Sequence, residues 1–189
     1  MKYVLASGSP RRKELLAGLG IDFEIRLLPD IDESYPEGLS GEEIARTISR
    51  KKAEAYKPTL GEDELIITAD TIVYLDGRVL GKPKDEGDAI AMLKMLRGRS
   101  HQVITGVTLL TRDIMHTFDC VSHVTFSSAI TDEEIEYYVT HYKPLDKAGA
   151  YGVQEWIGYI GVEHIEGSYF NVMGLPVQRL YREIKKLRK

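Results

Sequence analysis

The stretch Ser7-Gly8-Ser9-Pro10-Arg11-Arg12-Lys13 joins two hydroxyls, a glycine, a proline and three cations, and the chemistry this set suits is the grip of an anion. Ser9 is placed to cap a helix whose first position is Pro10. Cations in a first helical turn oppose the helix dipole, at about 0.3–1 kcal/mol each, so three in succession are wrong for stability alone. The conflict disappears if a phosphate binds there. Free N–H groups, a close backbone approach at Gly8, the hydroxyls of Ser7 and Ser9 and the guanidiniums of Arg11 and Arg12 would form its cradle. The bland alternative is a solvated basic turn paired with surface acids.

Further groups could complete such a site. Asp70 interrupts the otherwise buried-looking run Leu65-Ile66-Ile67-Thr68-Ala69-Asp70-Thr71-Ile72-Val73, where a carboxylate needs a cation or strong donors. Acidic candidates also cluster in Asp30-Ile31-Asp32-Glu33. Mg²⁺ takes one or two protein carboxylates and fills its shell with water and phosphate, so Asp70 with Glu33 would suffice. Lys52, in the run Arg50-Lys51-Lys52, and Lys82, stiffened by Pro83, are the candidate phosphate-binding lysines. Taken singly, each lysine reads as solvated surface.

The elements that must carry these groups follow from periodicity and punctuation. Lys2 to Ala6 reads as a strand, Pro10 to Leu19 as a helix, and the Ser40/Glu43 capping box opens a second helix running towards Tyr56. An acidic loop is expected between these helices. Two strands, Leu65 to Ala69 and Ile72 to Leu75, flank Asp70, and Asp76-Gly77 predicts a hairpin to Arg78–Leu80. Asp85 to Leu96 reads as a helix stopped by Gly98. His101 to Thr111 and Met115 to Phe126 read as an antiparallel pair turning near Arg112-Asp113. Thr131/Glu134 is a second capping box, Gly149 to Gly174 reads as short strands and turns, and Pro176 introduces a terminal helix through Leu187. This order predicts an α/β fold with a mixed sheet flanked by helices.

Bulk properties narrow the ligand. The 189 residues are 43% hydrophobic, enough for one domain or two small lobes, and the net charge of −4 offers no field for a nucleic-acid polymer. The basic end Lys185-Lys186-Leu187-Arg188-Lys189 reads as complementing a helix dipole. Cys120, the single cysteine, excludes an intramolecular disulfide and reads as a small strand hydrophobe. Apolar runs are strand-length and no export signal is evident, so a soluble cytoplasmic protein without membrane spans is expected. Neither a G-x-x-x-x-G-K-[ST] loop nor a G-x-G-x-x-G fingerprint occurs.

Five blocks in register, Ser7-Gly8-Ser9-Pro10-Arg11-Arg12, Ala69-Asp70-Thr71-Ile72-Val73, Gly81-Lys82-Pro83, Asp146-Lys147-Ala148-Gly149-Ala150-Tyr151-Gly152-Val153-Gln154 and Gly174-Leu175-Pro176, resemble the successive signatures of the Maf family over nearly the whole chain. The resemblance implies one Maf-like domain spanning 1–189, with two lobes around a central cleft and a fold similar to that of inosine triphosphate pyrophosphatases. It implies a homodimer and a divalent cation, Mg²⁺, Mn²⁺ or Co²⁺. The implied reaction is hydrolysis of a nucleoside triphosphate to the monophosphate and pyrophosphate, in a house-cleaning role. Arg12, Thr71 and Gln154 stand where the family's specificity positions fall, and they point to the dTTP/UTP branch, with CTP or modified pyrimidines as further substrates. Gln154 offers an acceptor and two donors to a pyrimidine imide. Asp70 is the expected base and, with Glu33, metal ligand; Ser7, Ser9, Arg11, Arg12, Lys52 and Lys82 are the expected phosphate ligands. The alternative is a nucleotide-binding regulator of septum formation that need not hydrolyse its ligand.

Overall fold

In this computed structural model residues 1–187 are described, so Arg188 and Lys189 of the basic end lie outside the described residues. The elements are β1 (Lys2–Leu5), α1 (Pro10–Ala17), β2 (Phe23–Ile25), α2 (Gly41–Tyr56), β3 (Glu64–Leu75), β4 (Arg78–Leu80), α3 (Glu86–Leu96), β5 (Ser100–Leu110), β6 (Met115–Phe126), α4 (Asp132–Tyr142), α5 (Trp156–Gly161), β7 (Val162–Glu166), α6 (Tyr169–Met173) and α7 (Val177–Leu187). They build a seven-stranded mixed sheet of order β2-β1-β3-β5-β6-β7, with β4 paired to β3. The mixed α/β class expected from sequence is therefore observed. The chain divides into two compact units, one comprising Met1–Thr71, Thr105–Cys120 and the segment from Gly174, the other Ile72–Ile104 and Val121–Met173.

In the first unit β1 pairs in parallel with both β2 and β3, Leu5 facing Ile67 across the latter ladder. The buried face of α2 is made largely of small residues, Gly41, Ala45, Ser49 and Ala53, at four-residue spacing. That stripe lets the helix lie against the sheet. A Cβ at Gly106 of β5 would overlap the Ala45 carbonyl, Ser49 Oγ lies 3.1 Å from Thr108 Oγ1, and Thr68 Oγ1 donates to the Ser49 carbonyl at 2.7 Å. Thr68 and Asp70 share one face of β3 because strand side chains alternate, so the face that meets α2 at Thr68 meets it again at Asp70.

Three expectations need correction here. The two strands expected around Asp70 are one 12-residue strand, because the Asp70 carboxylate has a cationic partner and need not break the ladder. Helix α1 stops at Ala17, not Leu19, with Gly18 as its cap and Gly20 at φ 67°. The acidic loop between α1 and α2 contains the short strand β2, which composition did not betray.

In the second unit α3 and α4 pack with Val124, Phe126 and Ile157 in a single core around Leu93, Leu96, Ile135 and Tyr138. Both capping boxes, Ser40/Glu43 in the first unit and Thr131/Glu134 here, form as expected, whereas Asp85 caps α3 from outside. The glycine-rich stretch holds two helices, α5 and α6, that were expected as strands and turns. Gly158 sits inside α5, where a Cβ would overlap the Val153 carbonyl, so close packing outweighs its poor helix propensity.

Candidate active site

Parallel pairing of β1 with β3 carries the chain out of the sheet beside Asp70. Leu5 faces Ile67, the Ala6 N–H donates to the Ile67 carbonyl at 2.9 Å, and the Ser7–Ser9 turn follows at the level of Ala69. Ser9, with extended φ/ψ, accepts the Arg12 N–H at 3.4 Å as the helix cap, with Pro10 at the first helical position. Ser7 Oγ accepts the Ser9 N–H at 3.3 Å. Gly8 is exposed, and an added Cβ would meet only Leu27 at 3.7 Å, so the chain's own packing does not require glycine there.

Arg12 is the hub of this corner. Its Nε donates to the Gly174 carbonyl at 2.9 Å, Nη1 to the Ala69 carbonyl at 2.8 Å and Ser7 Oγ at 3.4 Å, and Nη2 to Thr71 Oγ1 at 3.1 Å. Thr71 in turn shares a 2.9 Å hydrogen bond with Thr105. Burial holds the guanidinium below its ordinary value, and the Asp70 charge acts the other way. Four of the five N–H groups of Arg12 thus meet protein acceptors. The side chain expected as a phosphate fork ties the cradle to both neighbours of Asp70. Gly174 and Ala69 were missed as partners because they act through carbonyls, which no side-chain pattern reveals.

Lys52 sits on the α2 face that meets β3, with Asp70 Oδ1 at 2.7 Å and Glu33 Oε1 at 2.9 Å from its ammonium. Lys52 and Asp70 are largely shielded, at 13% and 14% side-chain exposure, while Glu33 is 55% exposed. Beside them Lys51 holds Asp32 at 2.8 Å, so two consecutive lysines fasten two consecutive acids of the loop. Asp70 and Glu33 therefore aim oxygens at one cationic point. Two convergent carboxylates beside the Ser7–Ser9 turn have the oxygen chemistry that Mg²⁺ or Mn²⁺ takes, with water and phosphate as its usual remaining ligands.

The second unit carries Lys82 and Gln154. Lys82 is exposed just after β4, and the preceding Gly81 carbonyl accepts the Gly149 N–H at 3.1 Å, which joins the Gly81-Lys82-Pro83 block to the Asp146–Gln154 block. Gly149 has φ 68°, and a Cβ there would press to 2.8 Å on Val73. Gln154 is half-buried, and its Oε1 is buried without a hydrogen-bond partner. In the first unit, then, Ser7, Ser9, Arg12, Lys52, Asp70, Thr71 and Glu33 come together, while in the second the link between the blocks of Lys82 and Gln154 is the Gly149–Gly81 backbone bond. Arg11 follows Pro10 in the first turn of α1 and is half-buried. Cys120 is half-buried in β6, as a small hydrophobe would be, and burial raises its thiol.

Comparison with known proteins adds an independent line. A relative in Bacteroides fragilis named dTTP/UTP pyrophosphatase is 63% identical over 98% of this chain and 96% of its own length. Another of that name in Phocaeicola vulgatus is 62% identical over 98% and 96%. Among solved structures, the Staphylococcus aureus Ham1 protein aligns over 100% of both chains with a TM-score of 0.55 at 16% identity, a likeness of fold. The sequence profile described as Maf-like protein matches residues 2–187. The chain belongs to the Maf-like protein family.

Proposed function

We propose that this protein hydrolyses the pyrimidine nucleoside triphosphates dTTP and UTP to the nucleoside monophosphate and pyrophosphate. The observation that carries this reading is the junction of an Arg12-pinned Ser7–Ser9 turn with the Lys52–Asp70–Glu33 cluster. The names of relatives at 62–63% identity support the substrate. A divalent metal, a homodimeric state, a cytoplasmic location and a single functional domain belong to the same proposal. No helix among the described residues is long and apolar enough to cross a membrane.

The Ser7–Ser9 turn, Arg11 and Lys52 would receive the triphosphate, with Arg12 fixing the turn; Lys82 is assigned a phosphate and Gln154 the base. A divalent cation held by Asp70 and Glu33 would offset phosphate charge and lower the pKa of bound water. The Lys52 ammonium occupies Asp70 Oδ1 at 2.7 Å, so Lys52 must first be drawn to the incoming phosphates for that oxygen to meet water. Asp70, thus released, accepts a proton from water attacking the α phosphorus. The bond to the α–β bridging oxygen breaks, and that oxygen leaves on pyrophosphate.

Chromatography of UTP incubated with the protein and Mg²⁺ or Mn²⁺ should show UMP and pyrophosphate. Asp70→Asn should lower turnover by about 10²–10⁴-fold, the worth of a positioned base, while nucleotide still binds. Unchanged triphosphate would move the protein to the binding-regulator class. Near-normal turnover of the variant would remove Asp70 from the role of base.

A further inference from the structure

Two consecutive residues of the second unit hold left-handed backbone, Gly149 at φ 68° and Ala150 at φ 60°. Glycine adopts that region freely; in alanine it drives Cβ towards the following carbonyl, so Ala150 is strained. Ala150 is fully buried, and its N–H donates to the Lys147 carbonyl at 3.1 Å. Strain of this kind persists only where the surroundings enforce it, and it collects where a backbone is held to a task.

The enforcing groups are a tyrosine and a glutamate. Glu155 Oε1 lies 3.2 Å from the buried Lys147 ammonium, which also reaches Asp146 at 2.8 Å. Glu155 Oε2 accepts the hydroxyl of Tyr138, on α4, and that hydroxyl in turn accepts the Gly152 N–H at 3.0 Å. The Tyr138–Glu155 pair therefore ties down the chain on both sides of Ala150, at Lys147 and at Gly152.

What the strained turn holds is the main chain around Lys82. Gly149 leaves no room for a Cβ against Val73, whose ladder partner across the hairpin is Leu80, and it gives its N–H to the Gly81 carbonyl at 3.1 Å. That carbonyl shares one rigid peptide plane with the nitrogen and Cα of Lys82. On its other side Lys82 precedes Pro83, which is buried and confines the lysine to extended backbone. Both peptide groups of Lys82 are thus constrained while its side chain is exposed. A lysine that only meets solvent needs no such fastening.

We propose that Tyr138 and Glu155 are positioning residues: by enforcing the Gly149–Ala150 turn they fix the main chain from which Lys82 reaches a substrate phosphate. The inference rests on the phosphate role given to Lys82 above and adds the device that aims it.

The test is a double-mutant cycle on kcat/KM for UTP, with thermal melting of every protein. Tyr138→Phe keeps the ring and removes the hydroxyl that joins Gly152 to Glu155. Lys82→Ala should lower kcat/KM by about tenfold or more, and Tyr138→Phe alone by about tenfold, the size of one misplaced charged hydrogen bond. In the Lys82→Ala background Tyr138→Phe should cost less than about twofold more, because the lysine it aims is gone. Ala150→Gly should restore most of the loss in the Tyr138→Phe protein, since glycine keeps φ near 60° without enforcement. Glu155→Gln, read in the same cycle, carries the test if Tyr138→Phe folds poorly. A folded variant at the wild-type kcat/KM, equal losses with and without Lys82, or no rescue by glycine overturns the positioning role and leaves the hydrolytic reading standing. A Lys82→Ala protein that matches the wild type overturns the phosphate role of Lys82 and this inference together, with hydrolysis intact. A wild type that leaves UTP whole overturns the hydrolytic reading itself.

Discussion

Replacing Arg12 with lysine keeps the charge and removes the fork, which isolates what the geometry contributes. The guanidinium reaches carbonyls of Gly174 and Ala69 at 2.9 and 2.8 Å, Thr71 at 3.1 Å and Ser7 at 3.4 Å. An ammonium presents all its donors from one point and can keep one of the two short carbonyl bonds. The loss is one strong charge-assisted bond, whose carbonyl is left stranded, and the two weaker bonds to Thr71 and Ser7; at about 1.5–3 kcal/mol for a charged hydrogen bond, discounted for partial exposure, this comes to about 2–3 kcal/mol. For a chain of this size each kcal/mol lowers Tm by about 2–4 °C, so Arg12→Lys should melt about 4–12 °C below wild type in scanning calorimetry. Turnover of UTP should fall by about 10²-fold, since the turn would no longer be fixed beside Asp70. Lys13→Ala, at an exposed position, should stay within about 0.5 kcal/mol of wild type. An Arg12→Lys protein that melts with the wild type and turns over UTP normally would refute the hub reasoning.

Two glycines should behave oppositely. Gly8→Ala should leave the melting temperature nearly unchanged, since its Cβ meets only Leu27 at ordinary contact, yet raise KM for UTP at least about tenfold if the turn takes phosphate at close range. Gly106→Ala, whose Cβ would overlap the Ala45 backbone, should cost about 1–3 kcal/mol or more in urea unfolding. A third expectation concerns pH. Burial depresses His101 from 6.5 to about 4, so the fold prefers the neutral ring; stability should be full above pH 6.5 and fall as pH drops towards 4. The unfolded chain takes up the proton first, for a loss on the order of 3 kcal/mol. His101→Gln should flatten urea midpoints across that window relative to neighbouring pH values, and an unaltered slope would contradict the assignment.

Much of this was legible because side chains announced it. The Ser9 cap, Pro10, the Ser40/Glu43 and Thr131/Glu134 boxes and the Gly98 stop form through local chemistry, and local chemistry is written in adjacent residues. Asp70 betrayed itself as a charge in an apolar strand, and Lys52 proved to be its partner. What stayed hidden depended on contacts across the chain. The small-residue stripe of α2 acquires meaning only against Gly106 of β5, and Gly158 looks like a helix breaker until the Val153 carbonyl lies beneath it. The carbonyls that Arg12 reaches lie 57 and 162 residues away, so no adjacent residue announces them. Glu155 carries no local signal, because its partners Tyr138 and Lys147 meet it only through the fold.

Oxygen isotope transfer tests the central claim most directly. Hydrolysis of UTP in ¹⁸O-enriched water with Mg²⁺ should place one label in UMP and none in pyrophosphate, because water attacks the α phosphorus beside Asp70. Label in pyrophosphate, or release of UDP and orthophosphate, would contradict the account.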